Sequence, residues 1–341
     1  MDGFAVIASD VAGAPVSLPI VGEIAARPLD PEPLRSGTVV RIMTGAVVPE
    51  GADAVVPVED TSPGADDDTV LIARPRASGE YVRERGSDAR VGDELLPAGV
   101  RLASRHLAVL AAAGLTTVPV RRRMRVAVLT TGAELIEPGA EPVTGQVFDS
   151  NGTALVAAVR AAGAEVVVRS RVADDTDAFR SALAEATAAA DLVLTSGGIS
   201  MGDYEVVRET LEPLGGEIGS VAMQPGGPQA TAIVDGVPVV CFPGNPVSTQ
   251  LSFEVFVAPL LRRAAGLPAR AVSSLPLAEA LRSVPGKRQF LRARVDGDVV
   301  RLVSGPGSHL VAGLAAADSL VIVPEDATEL AAGHVVEVWA L

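Results

Sequence analysis

The chain has 341 residues, a formal net charge of −14, 48% hydrophobic and 21% charged residues, and 3% aromatics. That length calls for roughly two to four domains, and the composition is that of a globular chain rather than a disordered one. The acidic charge repels a phosphate backbone and the scarce aromatics offer few stacking platforms, so nucleic acid is an unsuitable partner.

Residues 1–88 carry short β-branched runs, such as Thr38-Val-Val-Arg-Ile42 and Ala54-Val-Val-Pro-Val58, broken by turn residues about every ten positions. This spacing predicts a small β-rich domain. The acidic run Asp66-Asp67-Asp68 reads as a solvated hairpin tip, because consecutive carboxylates in a turn do not converge on a metal. Over 89–120, Leu102 to Ala113 has a helical apolar pattern that ends at Gly114, with Ser104 as its candidate cap and His106 as a structural or surface histidine.

From Met124 the rhythm changes. Met124–Thr130, Glu165–Arg169, Asp191–Ser196 and Val237–Phe242 read as buried strands. They alternate with helices over Gly152–Ala162 and Asp177–Ala190, from about Tyr204, and from the Pro-Gly-Asn-Pro loop to Ala265. Strands that alternate with helices predict a mainly parallel sheet covered on both faces, a three-layer α/β domain over 121–267. Short strands return over 268–341, at Phe290–Val295, Val299–Val303, Leu320–Val323 and Val335–Val338, as a second small β domain.

Ligands of open parallel sheets bind beyond the carboxyl ends of the strands. Four unusual loops occupy or neighbour that edge: Thr130-Thr-Gly-Ala-Glu-Leu135, Ser196-Gly-Gly-Ile-Ser-Met-Gly-Asp203, Gln224-Pro-Gly-Gly-Pro228 and Pro243-Gly-Asn-Pro-Val-Ser248. Gly197 and Gly198 let backbone amides approach an anion, and Ser196 and Ser200 offer hydroxyls; a tight strand-to-helix turn is the plainer alternative. If Glu134, Asp149, Asp174 and Asp203 converge there, a phosphate needs a divalent cation between them, and Mg2+ is the natural one. No Walker loop, dinucleotide fingerprint or nucleophile elbow is present.

The single cysteine, Cys241, rules out an internal disulfide and a Cys-based zinc site, and it reads as a small buried hydrophobe. His106, His309 and His334 form no metal-spaced pair. No apolar stretch approaches the roughly 20 residues of a membrane span. Met1-Asp-Gly-Phe-Ala5 does not open a signal peptide. The expectation is a soluble cytoplasmic protein with no membrane partner.

Taken together, the motifs resemble one family, the molybdopterin molybdenumtransferases, which include the E domain of gephyrin. The resemblance rests on Met1-Asp-Gly-Phe-Ala5, Arg41-Ile-Met-Thr-Gly-Ala46, Pro49-Glu-Gly-Ala-Asp-Ala-Val55, Glu59-Asp60 and Thr131-Gly-Ala-Glu-Leu135. Further on it rests on Phe148-Asp-Ser-Asn151, the 196–204 and 243–248 segments, Gly307-Ser-His309 and Leu320-Val-Ile-Val-Pro324.

The resemblance implies that adenylylated molybdopterin and molybdate give molybdenum cofactor and AMP, with Mg2+ assisting. It implies a homodimer in which Asp2 faces the α/β domain of a partner subunit, and it brings in a molybdopterin adenylyltransferase and apo-molybdoenzymes as partners. Asp2, Glu134 and Asp203 become the catalytic residues, with Glu134 and Asp203 also holding metal. Thr44 and Asp88 match polar positions used in the family's cleft, and Arg288 and Ser308 are candidates for molybdate. The pterin and phosphates fall to Asp149, Asn151, Asp174, Ser196, Gly197, Gly198, Ser200 and Gly202. Pro225, Gly226, Pro243, Gly244, Asn245, Pro246 and Ser248 complete that cradle.

Two features depart from the family pattern. The loop that usually reads Lys-Pro-Gly-Lys-Pro is Gln224-Pro-Gly-Gly-Pro228, and Lys287 is the only lysine of the chain. The Met1-Asp-Gly motif normally lies well inside the family's chains, so an N-terminal truncation is expected, with 89–120 as the remnant of a dimerisation domain. The altered loop motivates an alternative, a non-catalytic pterin- or nucleotide-binding paralogue that acts as carrier or scaffold. A weaker alternative has the α/β domain adenylylate molybdopterin itself.

Overall fold

Short β-branched runs cannot bury themselves singly, and between Met1 and Pro97, the first of two units, they pair into a six-stranded sheet. Its order is Ala54–Pro57, Gly3–Val6, Val39–Ile42, Val16–Ile24, Thr69–Ile72 and Thr61–Pro63. Phe4, Val6, Val39, Val56 and Ile72 fill its core. A Cβ on Gly3 would lie 2.1 Å from the Val56 carbonyl oxygen, so the neighbouring strand demands glycine there. Asp66–Asp68 form the turn between the last two strands in sequence, Thr61–Pro63 and Thr69–Ile72.

The computed structural model describes residues 1–199 and 205–341. In the second unit, Ala98–Leu341, a helix spans Ser104–Ala112. Ser104 is its first helical residue and not its cap. The cap position is Ala103, whose backbone N–H donates to His106 Nδ1 at 3.0 Å, so His106 does the capping expected of the serine.

The α/β layer is built as the alternating pattern predicts. Glu165–Val172, Arg125–Thr131, Leu192–Ser196 and Val237–Phe242 lie side by side in parallel. Alternate residues face opposite ways. Val126, Val128, Leu194 and Phe242 pack with Leu155 and Val159 of the helix Ser150–Ala161 and with Phe253 and Leu261. Ala127, Leu129, Val193 and Cys241 pack with Phe179 and Leu183 of the helix Thr176–Ala189 and with Val207 and Leu211. The last helical run, Pro246–Ala264, contains a π-helical stretch at Phe253–Val257. Among the described residues, no helix is long and apolar enough to cross a membrane.

Two antiparallel strands extend this sheet beyond what the apolar runs announced. Pro228–Val234 pairs with Val237–Phe242, and Glu217–Ser220 pairs with Pro228–Val234. Their residues are half exposed, so they lack the continuous hydrophobicity of the inner strands. The turn Asp235-Gly236, with φ of 52° and 80°, is a primed hairpin turn.

The C-terminal sheet runs Met223–Gln224, Arg288–Asp296, Ser319–Val323, Val335–Ala340 and Val272–Pro276, with Val299–Leu302 added on Arg288–Asp296. Its first strand is borrowed from the α/β layer: Met223 and Gln224 pair in parallel with Arg288 and Gln289. That borrowed strand carries the Gln224–Pro228 loop to the boundary between the two layers.

Candidate active site

The loops at the carboxyl edge of the parallel strands enclose a cleft of about 1080 Å3. Each of the four segments singled out in the sequence lines it through described residues: Thr131 to Leu135, Ser196 to Ile199, Gln224 to Pro228, and Pro243 with its neighbours to Ser248. A fifth segment, Pro306 to His309, reaches in from the C-terminal β layer.

These loops are held by hydrogen bonds between distant residues. Asn151 Nδ2 donates to Ser196 Oγ at 2.9 Å and to the Gly244 carbonyl at 2.7 Å, which ties three loops together. Thr249 Oγ1 meets Ser196 Oγ at 3.0 Å and donates to the Pro243 carbonyl at 2.6 Å. Gln229 Nε2 donates to the Gly226 carbonyl at 2.7 Å and to Ser252 Oγ at 2.6 Å. Gln289 Nε2 donates to Gln224 Oε1 at 2.6 Å, so the side chain that stands where a cation was expected is itself fixed. The Gly197 Cα lies 3.5 Å from where a Gly244 Cβ would be, and a Cβ on Gly197 would sit 2.6 Å from the Thr131 carbonyl oxygen. The tight-turn explanation of Gly197 therefore holds, and the same compression brings its backbone to the cleft wall.

The acidic residues divide by role. Asp149 is 1% exposed, and both of its oxygens are engaged. It accepts from Thr130 Oγ1 at 2.9 Å and from Gly152 N at 2.8 Å, with Arg169 Nη2 at 3.7 Å. It is the N-cap of Ser150–Ala161 and so frames the cleft that it also lines. Asp174 Oδ2 accepts from Ala133 N at 2.8 Å and so fixes the loop that presents Glu134. Glu134 is exposed in the cleft, its carboxylate folded over Gly132, and Glu205 also lines the wall. Ser200, Gly202 and Asp203 lie outside the described residues.

The positive charge differs from the sequence expectation. Arg288 does not line the cleft; its Nε and Nη2 both lie 3.1 Å from Glu325 Oε2. Among the described residues, the basic groups on the wall are Lys287 and His309. The cause is register. The Arg288 N–H donates to the Ala222 carbonyl at 2.9 Å as the strand begins, and its side chain then leaves on the Glu325 side. Ser308, by contrast, stands on the cleft wall beside His309.

Asp2, Thr44 and Asp88 belong to the first unit. Asp2 Oδ1 accepts from Thr44 N at 2.7 Å. That backbone bond, with a second bond from the Thr44 hydroxyl, holds the Asp2 carboxyl below the usual carboxylate range. Asp88 is exposed. Cys241 is fully buried, and burial pushes its thiol up to about 12, so it is no nucleophile.

Reasoning from the sequence missed Thr249, Gln229, Gln289, Glu205, Lys287 and His309. The first three act through bonds to partners far along the chain, and the fold alone reveals them. Lys287 carried a signal, as the chain's single lysine, and His309 lay in a quoted motif.

Three family profiles cover most of the chain: the MoeA N-terminal region (domain I and II) over residues 1–114, a probable molybdopterin binding domain over 127–263, and the MoeA C-terminal region (domain IV) over 274–341. Molybdopterin molybdenumtransferase 2 of Mycobacterium tuberculosis is 44% identical, over 100% of this chain and 87% of its own. The molybdopterin molybdenumtransferase of Synechococcus elongatus is 35% identical, with the same coverage of 100% and 87%. A solved structure described as the molybdopterin biosynthesis moea protein from Pyrococcus horikosii superposes with a TM-score of 0.82 at 33% identity, covering 100% of this chain and 86% of that one. With full-length likeness in sequence and in fold, the chain belongs to the molybdopterin molybdenumtransferase family.

Proposed function

We propose that this protein inserts molybdenum into adenylylated molybdopterin, taking molybdate as the oxyanion and releasing AMP. The observation that carries this reading is the convergence of five loops on one cleft, with glycine backbones, hydroxyls and the only lysine of the chain on its wall. Backbone at Gly198 and Gly244, both on the cleft wall, suits the pterin phosphate, whereas the Gly197 N–H is already taken by the Phe242 carbonyl at 3.1 Å. Lys287 and Ser308, both on the cleft wall, suit molybdate, because an ammonium and a hydroxyl each donate to a tetrahedral anion.

Among the described residues, no cluster of three metal-ligating side chains exists. Mg2+ asks for less, because it keeps several waters and takes one or two carboxylates plus substrate phosphates. Glu134, exposed in the cleft on a loop fixed by Asp174, fits that requirement, and Asp203 is the proposed second ligand. When bound, Mg2+ would neutralise the phosphates of the adenylyl group. The protein's own share is to hold those phosphates across the cation from the carboxylates and to hold molybdate beside the dithiolene sulfurs.

The reading extends to a homodimer in which Asp2 of one subunit serves the α/β domain of its partner, in the cytoplasm. An adenylyltransferase would deliver the pterin, and apo-molybdoenzymes would receive the product. Purified protein incubated with adenylylated molybdopterin, molybdate and Mg2+ should release AMP, and Glu134→Ala should lower that release at least about hundredfold. Absence of AMP from the wild-type protein would contradict the proposal.

A further inference from the structure

Arg292 is a buried cation that does not line the cleft. It sits in mid-strand on Arg288–Asp296, opposite Leu320, and is 2% exposed. No ion pair among the described residues includes it. A buried guanidinium without a carboxylate is costly unless other groups satisfy it. Here one loop supplies those groups. Nε donates to Ser304 Oγ at 2.9 Å, Nη1 to the Gly307 carbonyl at 3.1 Å, and Nη2 to the Gly305 carbonyl.

That loop is the segment that enters the cleft from the C-terminal layer. Its other end is tied to the α/β layer, where Val247 N donates to the Ser308 carbonyl at 3.0 Å. Gly307 therefore has its carbonyl drawn inward to Arg292, and Ser308 has its carbonyl drawn to the helix Pro246–Ser252. Pro306, Ser308 and His309 of this loop line the cleft. The helix Val311–Ala316 closes over the same loop, where a Cβ on Gly313 would lie 2.4 Å from Ser304 Oγ.

We infer that Arg292 is a positioning residue: its planar fork sets the 304–309 loop so that Ser308 meets the oxyanion. The proposal rests on the functional reading above, in which Ser308 and Lys287 hold molybdate. Arginine suits the site because each of its three guanidinium nitrogens meets a different acceptor, which calls for a fixed fork. A lysine at this position satisfies at most part of them.

The test measures KM for molybdate and for adenylylated molybdopterin separately in the wild type, Arg292→Met, Arg292→Lys, Ser308→Ala and the Met/Ala double variant. Hydrogen exchange of peptides covering 304–309 is read alongside. Arg292→Met should raise KM for molybdate by about a hundredfold, with KM for the pterin substrate within about twofold of wild type. Ser308→Ala should add little in that background, and Arg292→Lys should restore less than half of the loss. Exchange should quicken in 304–309 and stay unchanged in the parallel strands.

Molybdate KM unchanged within twofold, both KM values rising together, or additive effects of the two substitutions would overturn the proposal. If Arg292→Met lacks a cooperative unfolding transition, Arg292→Lys decides by the same readouts. If the wild type itself shows no molybdate-dependent turnover, the functional reading has failed. Exchange then judges the clamp alone: quickening confined to 304–309 upholds it, and no change overturns it.

Discussion

Lys287 and Arg288 are adjacent, yet Lys287 lines the cleft while Arg288 turns away to Glu325, 3.1 Å from its carboxylate. The start of a strand separates them, and one step along a strand reverses the side-chain direction. The charge available to an anion is therefore the one that stands just before the strand.

Lys287→Ala should raise KM for molybdate by about tenfold, the loss of one charge-assisted contact at an open site. Arg288→Ala should change it less than about twofold, because an exposed ion pair contributes little. Steady-state kinetics with molybdate varied checks both, and the reverse order of effects would return the anion to Arg288.

Asn151 and Thr249 brace the loops rather than touch substrate by necessity. Asn151→Ala removes its bonds to Ser196 and Gly244, and Thr249→Val removes the hydroxyl that meets Ser196 and Pro243. Thr249→Val should cost about 1–3 kcal/mol in urea unfolding, since the Ser196 hydroxyl it leaves is buried, and Asn151→Ala should cost less, since Gly244 is exposed. Activity should fall with stability retained well above the unfolding threshold, and the two effects should be non-additive because both act through Ser196.

Asp191 gives a pH-dependent prediction away from the cleft. Arg122 donates to it at 2.6 and 3.0 Å, and Arg125 donates through its backbone N–H at 2.9 Å and its guanidinium at 3.1 Å. The Arg122 bonds lead in holding its carboxyl well below the usual range, against an opposing push from burial. A depressed folded value adds stability above the unfolded value of about 3.9 and loses it as pH falls through the folded one. Asp191→Asn should therefore be less stable than wild type at pH 7, and the gap should narrow as pH falls below about 4. Urea midpoints across that range check it.

Much of this architecture was legible as pattern. The inner parallel strands are buried on both faces, so Met124–Thr130 and Asp191–Ser196 announce themselves as unbroken apolar runs. The half-exposed hairpin Pro228–Val234 did not, although Asp235-Gly236 is a strong turn signal. Loop composition at the sheet edge located the cleft, because glycine is required where Gly197 passes Thr131. The roles of Asp149, Thr249 and Gln289 were not legible. A helix cap and a ligand contact use the same carboxylate, and the Gln289 bond depends on a partner 65 residues away along the chain.

Under the proposed function, molybdenum transfer and AMP release belong to one reaction at this cleft. The most direct measurement is the molybdenum content of the pterin product, by mass spectrometry, set against AMP released in a single turnover. About one molybdenum-bound pterin is expected for each AMP, and no molybdenum-bound pterin when molybdate is withheld. Adenylylated molybdopterin that stays bound and intact in the presence of molybdate would contradict it and identify a carrier.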